Sequence, residues 1–391
     1  MKKIRVLQLV PMLGPGGAER VVVHIARGLN RQRFDVAVLS IWHRVGSDLE
    51  QLLDESDVGV WYLGKSSGFD GRMYHRLHRV LREYSPDVVH SHLHALRYAL
   101  PSLMFLNSVS SLHTVHNLAE REIEPRARCI QRYALTHGVT PVAVSSEVAK
   151  SVEQCYDIQN CHIIPNGIPT ADYGTPRISR SEWRAREGFG DDQVLFVCVA
   201  RFAPQKNHAL LLEAFSRGPA GDPRTHLILI GDGELRGQLT DQAKSLGLND
   251  KIHFLGLRTD IADVLNAMDV FVLSSDWEGN PLSVMEALAA GLPVISTAVG
   301  GVPGLITSGK EGLLVQQRDV EGLSRAMTGL LGGAVTRQVM GSAAKQRASQ
   351  DFDVYKMIHD YEQLYEDLHK RSCRLKAEKF SQPQGLFLKE A

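Results

Sequence analysis

The feature that most constrains the fold is an alternation that runs through the chain twice: short apolar runs bounded by turn residues, separated by stretches of helical periodicity. Residues 4–10 form a largely apolar run closed by Pro11 and Gly14, after which Val21, Val22, Ile25 and Leu29 recur at helical spacing. Strand-like runs follow at 34–40, 58–63, 87–90 and 109–115. After a stretch rich in Pro, Gly, Ser and charge at 165–192, the order restarts. Residues 194–200, 226–230, 252–255, 270–274, 293–296 and 313–315 read as strands, and 208–216, 235–246 and 281–290 as helices, the last ended by Gly291. Strands separated by helices of about 10–15 residues need crossover connections and parallel sheets. The expectation is therefore α/β, with two doubly wound domains in tandem. Ligands of such sheets bind outside the carboxyl ends of the strands, which makes the cleft between the domains the expected site.

At 391 residues there is room for two full cores. The 44 Lys and Arg balance 44 Asp and Glu, so no overall field recruits nucleic acid. Residues 1–150 are mildly basic, with 19 Lys and Arg against 14 Asp and Glu. Part of that excess lies at 72–84, where Arg72, His75, Arg76, His78, Arg79 and Arg82 surround Leu77, Val80 and Leu81. This is a basic amphipathic helix, either a solvated face or a dock for a membrane surface. The five cysteines are odd in number and show no C-x-x-C spacing, which fits a reducing compartment better than a disulfide framework or structural zinc. Lys2-Lys3 and the run after them resemble a short signal peptide, but Arg5, Gln8 and Pro11 interrupt it without a small-x-small cleavage site, and it reads as a buried strand. No stretch approaches the ~18 apolar residues that span a bilayer. A cytoplasmic protein, in peripheral contact with the inner membrane face if the basic helix docks there, is expected.

The chemistry concentrates after the 270–274 run. In Glu278-Gly279-Asn280-Pro281-Leu282-Ser283-Val284-Met285-Glu286, Pro281 suits the first helical position, so Glu278 lies in the loop and Glu286 on the helix. Two carboxylates then flank a helix start whose unpaired N–H groups favour an anion. A ligand with hydroxyls on either side of a phosphate suits that layout, although two ordinary helix acids would show the same spacing. Arg201 and Lys206 follow the 194–200 strand toward the same cleft, where guanidinium and ammonium could balance a diphosphate. Gly14-Pro15-Gly16-Gly17 is a strand-to-helix turn rather than a dinucleotide fingerprint, with Glu19 as a first-turn acid beyond it. Histidines cluster early. His90, His92 and His94 share one face of a strand, but no carboxylate at compatible spacing completes a metal site. His116 is the better candidate for the site, with His113 as its close alternative.

Taken together, these segments resemble retaining glycosyltransferases of family 4, which have the GT-B fold. Residues 278–286 look like that family's E-x7-E signature, and Gly16-Gly17-Ala18-Glu19-Arg20 like its N-terminal glycine loop. Thr114-Val115-His116-Asn117, Ile164-Pro165-Asn166-Gly167, Arg201 to Lys206 with Asn207, and Gly231-Asp232-Gly233-Glu234 are similar to further motifs of the family, in the family's order. The resemblance implies two facing Rossmann-like domains: an acceptor-side domain at 1–170, a linker at 171–192 and a nucleotide-sugar domain at 193–352. A helix at 353–371 would pack back on the first domain, followed by a loose tail at 372–391. It implies transfer of a hexose or N-acetylhexosamine from a nucleotide sugar, UDP rather than GDP, to a glycan, lipid-linked or small-molecule acceptor in polysaccharide or lipopolysaccharide synthesis. Glu286 would hold the ribose, and Arg201 with Lys206 the diphosphate. Glu278 and the backbone of Gly279, Asn280, Pro281 and Leu282 would hold the sugar. Gly16 and Gly17 would close over the phosphates or acceptor, and His116 would bond a donor-sugar or acceptor hydroxyl. No metal or other cofactor is expected, the two cations replacing a divalent ion. A nucleotide-sugar 2-epimerase and a catalytically silent partner subunit are the alternatives that share this architecture.

Overall fold

The structure, a computed structural model, describes residues 2–68, 70–106 and 109–381. Its first half forms strands β1 (Ile4–Val10), β2 (Phe34–Trp42), β3 (Gly59–Lys65), β4 (Val88–His92), β5 (Ser110–Val115), β6 (Val139–Ala143) and β7 (His162–Ile163). All pair in parallel, in the order β3-β2-β1-β4-β5-β6-β7. The second half forms β8 (Val194–Val199), β9 (Thr225–Ile230), β10 (Ile252–Gly256), β11 (Val270–Leu273), β12 (Val294–Thr297) and β13 (Gly312–Val315), in the order β10-β9-β8-β11-β12-β13. The apolar runs are continuous rather than alternating because helices cover both faces of each sheet, so both side-chain rows are buried. In each sheet the strand order reverses once, between β1 and β4 and between β8 and β11. The loops leaving those strands flank a crevice that no crossover helix fills.

Two strands escape the apolar-run reading. β6 contains Pro141, which cannot donate to a ladder, and β7 joins it only from Val142 onward, beyond the proline. The stretch at 171–192 is more than a linker. It carries the helices Thr170–Gly174 and Arg180–Glu187, and the latter buries Trp183 and Arg184 against the second domain. Arg184 is fully buried, paired with Asp269 at 2.7 Å, and donates to the carbonyls of Ala267 at 2.8 Å and Gln193 at 2.9 Å.

The chain passes between domains twice, and the two passages bond to each other. Ile168 N–H donates to Phe352 O, and Val354 N–H donates to Ile168 O, both at 2.9 Å. A Cβ on Gly167 would lie 2.8 Å from Val354 Cα, so only glycine lets the passages lie this close. From there a helix, Val354–Ser381, runs back across the first sheet and seats Tyr361 and Tyr365 among β1, β4 and β5. The helix therefore extends past 371 into the segment expected to be loose, because residues 372–381 hold no proline or glycine to stop it. Residues 382–391 of that expected tail lie outside the described residues.

Truncating Arg184 to Ala is expected to cost roughly 3–5 kcal/mol, since Asp269 would lose its buried partner and several carbonyls their donor. A urea titration against wild type checks this, and a change below about 1 kcal/mol would refute the anchoring role.

Candidate functional site

The 278–286 segment stands on the loop after β11, where the second sheet reverses its order. The helix after it spans Leu282–Ala289, one residue shorter at its start than expected. Pro281 takes the flanking extended position, with φ −72° and ψ 118°, instead of the first helical one. A tight packing of glycines carries the loop across the cleft. A Cβ on Gly279 would lie 2.0 Å from the carbonyl oxygen of His116, in the first domain. One on Gly301 would lie 2.1 Å from Gly279 O and 2.9 Å from Ser145 Cβ. Gly300, at φ +51°, would place a Cβ 1.7 Å from Glu278 O. Backbone thus meets backbone where the domains touch, and any side chain there would part them.

Asn280, expected among the donor contacts, is engaged by the first domain instead. Its Nδ2 donates to Val144 O at 2.8 Å, and its carbonyl accepts from Asn166 Nδ2 at 2.9 Å. These bonds turn Asn280 toward the carboxyl end of β6. A Cβ on Gly17 would lie 3.8 Å from Leu282 Cδ1, across the cleft. Gly16 precedes the Gly17–Gly28 helix, and its N–H donates to Gly14 O at 2.8 Å in a tight turn. Burial raises the pKa of Glu19, whose carboxylate folds back over Gly16.

Glu278, which is buried, and Lys206, which is partly buried, form one ion pair, at 2.6 Å, although the sequence suggests separate tasks for them. Ser275 Oγ donates to the same carboxylate oxygen at 2.5 Å, and Gln205 Nε2 donates to the carbonyl of Trp277 beside it at 2.8 Å. Arg201 stands apart from that pair. Its side chain is 72% exposed and bonds Glu234, in the turn after β9, at 3.1 Å. Glu286 is held from two sides: Tyr173 OH donates to it at 2.8 Å, and Arg20 of the first domain at 3.2 Å. Burial, and next the Glu286 charge, push the Tyr173 hydroxyl well above the usual phenol range. Neither Arg20 nor Tyr173 stands out in the sequence as a partner of Glu286. The only signal for Arg20 is its place in the first turns after the glycine loop, on the side facing the second domain.

The histidines divide cleanly. His113 is buried inside the sheet with Nδ1 against Ser91 Oγ at 3.0 Å, whereas His116 lies at the end of β5 against Gly279. His116 N–H donates to Glu122 at 2.7 Å, and burial pushes that carboxyl up to about 8. His90 and His92 are fully buried and share a hydrogen-bonded chain with Gln8, Thr114, Tyr361 and Tyr365. Burial, and next the neighbouring imidazoles, hold His90 and His92 well below the ordinary imidazole range and bring His116 to about 3. Among the described residues, no three His, Cys, Asp or Glu are grouped to hold a metal ion.

Residues 15–172 match the model of Glycosyltransferase Family 4, and residues 179–347 that of Glycosyl transferases group 1. The D-inositol 3-phosphate glycosyltransferase of Geodermatophilus obscurus is 30% identical over 371 residues, covering 85% of this chain and 81% of that one. The UDP-Gal:alpha-D-GlcNAc-diphosphoundecaprenol alpha-1,3-galactosyltransferase of Escherichia coli is 26% identical over 390 residues, 94% of this chain and 97% of that one. Among solved structures, Anabaena HepE in complex with UDP and glucose superposes with a TM-score of 0.82 at 21% identity, over 93% of this chain and all of that one. WaaG, a glycosyltransferase involved in lipopolysaccharide biosynthesis, superposes with a TM-score of 0.74 at 19% identity, over 93% of this chain and 99% of that one. At such identities the structural likeness speaks for the fold alone.

Replacing Gly279 by Ala is expected to push the domains apart at His116 and lower kcat/KM by about 100-fold or more, with the fold retained. Steady-state kinetics beside circular dichroism checks this, and near-wild-type turnover would refute the close apposition.

Proposed function

Because the chain belongs to glycosyltransferase family 4 and has its two-domain GT-B fold, we propose that it moves a hexose or N-acetylhexosamine from a UDP-sugar to a glycan or lipid-linked acceptor. The setting we infer is the synthesis of surface polysaccharide or lipopolysaccharide, with retention of configuration. The observation that carries this reading is the Lys206–Glu278 pair, placed at the order reversal of the second sheet and facing His116 across the Gly279 contact. The UDP held by HepE and the UDP-galactose and lipid-diphosphate sugar in the name of the Escherichia coli relative support the donor and acceptor classes. The relatives named above give no support to donor epimerisation without an acceptor.

In this reading donor entry divides the ion pair. The ammonium of Lys206 turns to the diphosphate, joined there by Arg201, and Glu278 accepts hydrogen bonds from sugar hydroxyls. Glu286, oriented by Tyr173 and Arg20, accepts from the ribose. The bond between the anomeric carbon and the phosphate oxygen breaks as the acceptor oxygen attacks from the same face. The acceptor's proton passes to the leaving phosphate, whose developing charge the two cations stabilise without a divalent metal. Glu278→Gln should lower kcat by about 100-fold or more with the fold intact. UDP at 100 times its dissociation constant should add about 2.7 kcal/mol of stability to wild type. Turnover near wild type in the variant, or no stabilisation by UDP, would sink the assignment.

The first domain also offers a surface for a lipid-linked acceptor. The helices Arg72–Tyr84, Leu96–Phe105 and Arg128–Thr136 lie side by side. Met104 is 54% and Phe105 81% exposed beside the basic residues of the first of these helices. No helix among the described residues is long and apolar enough to cross a membrane. Aromatic and basic side chains on one face suit peripheral binding to an anionic inner-membrane surface. Arg79→Glu with Arg82→Glu should lower co-sedimentation with anionic vesicles by about tenfold or more, at about 1 kcal/mol per charge. UDP binding should not change, and equal sedimentation of variant and wild type would refute the docking face.

A further inference from the structure

Gln8 is a polar residue at the centre of an apolar strand, fully buried, and its amide is the hydrogen-bonded link between two clusters whose rings also touch, His90 against His92 with centroids 4.0 Å apart. On one side its Oε1 lies 2.9 Å from His92 Nε2, and His92 Nδ1 lies 2.9 Å from His116 Nε2. On the other side its Nε2 lies 2.8 Å from Tyr365 OH. From there the chain continues through His90 Nδ1 at 2.7 Å, His90 Nε2 to Thr114 Oγ1 at 2.7 Å, and Thr114 Oγ1 to Tyr361 OH at 3.0 Å. Each neutral imidazole carries one hydrogen, so each ring must donate at one nitrogen and accept at the other. The amide sets the direction for all of them. Its oxygen requires the hydrogen of His92 on Nε2, which leaves Nδ1 to accept from His116 Nε2–H. Its NH2 donates to Tyr365, whose hydroxyl donates to His90, whose Nε2–H donates to Thr114. Every hydrogen then points the same way, from the cleft toward the last helix, and bonds aligned head to tail polarise one another favourably. His116 is left with Nδ1 bare, and among the described residues no partner bonds that nitrogen.

We propose that Gln8, His92 and Tyr365 are positioning residues that fix the hydrogen of His116 on Nε2, so that Nδ1 meets the donor sugar as an acceptor and selects a hydroxyl at that point. The proposal rests on the reading of this cleft as a sugar-transfer site. It narrows the donor class: a sugar with a hydroxyl facing His116 is favoured over one with fluorine, hydrogen or a carboxylate there, since none of these donates. The relay also gives the last helix a task in specificity, because the Tyr365 hydroxyl accepts from Gln8 Nε2 and donates to His90 Nδ1, carrying the same direction through the helix.

Gln8→Leu is expected to reverse the direction. With no oxygen facing it, an N–H on His92 Nε2 would be buried without a partner, which costs more than a bare nitrogen there. His92 then carries its hydrogen on Nδ1, and His116 presents an N–H to the sugar. The experiment uses the full chain, UDP-hexose, and its set of monodeoxyfluoro analogues, with kcat/KM measured for each. Wild type should discriminate against one analogue by about tenfold or more, the worth of one hydrogen bond. Gln8→Leu should reduce that ratio to near unity while still binding UDP. An unchanged ratio in an active Gln8→Leu enzyme overturns the relay, whereas failure of wild type to bind UDP or transfer sugar overturns the underlying reading instead.

If Gln8→Leu does not fold, Gln8→Glu supplies the test. The introduced carboxylate accepts from His92 Nε2 and preserves the direction. One added proton shared with His92 reverses it, so kcat/KM should gain an acidic limb that wild type lacks. The groups facing this pair are His90, His113, His116 and Tyr365, with Glu122 on the backbone of His116. A folded Gln8→Glu enzyme with the wild-type pH profile would also overturn the relay. Nitrogen-15 spectra of histidine-labelled wild type, with His116 assigned by its loss in His116→Gln, should show the Nε2–H form. A hydrogen on Nδ1 contradicts the proposal directly.

Discussion

Gly279 against the carbonyl of His116 is the contact from which the rest of the cleft takes its dimensions. Two domains that each form their own parallel sheet share no hydrogen-bond ladder, so their spacing depends on a few places where backbones can approach. Here that place is a glycine with no room for a single methyl group, backed by Gly300 and Gly301, which let the loop fold tightly under it. The clasp of Asn280 on Val144 and of Asn166 on Asn280 adds direction to that contact. With the spacing fixed, Glu278, Lys206 and His116 fall within one site, although they come from loops after β11, β8 and β5.

The charges of the site are paired with one another. Burying a carboxylate or an ammonium alone is costly, and each would shift its protonation before tolerating it. Pairing Lys206 with Glu278, and Arg20 with Glu286, sets each charge against its opposite, within reach of a ligand that exchanges one partner for another. A diphosphate and a set of hydroxyls can take over both halves of such a pair, while a neutral apolar ligand can take neither. In the proposed reading, selectivity for the donor class begins with the cost of separating opposite charges. Arg201, exposed on the rim, adds a charge at little desolvation cost.

Much of this was legible in the residues, and the gaps have physical causes. Strands buried on both faces read as apolar runs, so both sheets and the parallel fold could be argued from the sequence alone. β6 was lost to Pro141, because a proline argues against a strand unless the register is known to leave its nitrogen unpaired. The packing of Trp183 and Arg184 was hidden in a stretch whose average composition is that of a loop. Glu278 and Lys206 were recognised singly, but their pairing spans two crossovers, and a contact of that range leaves no local spacing to read. Gln8 was visible only as an interruption of an apolar run. Its meaning depended on Tyr365, a residue from the other end of the chain.

That distance has a consequence for how the molecule is made. The first sheet can form its backbone ladders as soon as its strands have been synthesised. Gln8 Nε2 and His90 Nδ1, however, receive their partner from Tyr365, which leaves the ribosome after both domains. Until then the first domain carries buried polar groups that only water can satisfy, and it stays looser than its strand content suggests. The last helix therefore acts as proof of completion: a chain that stops early has both sheets but lacks the piece that dries and sets the floor beneath His116.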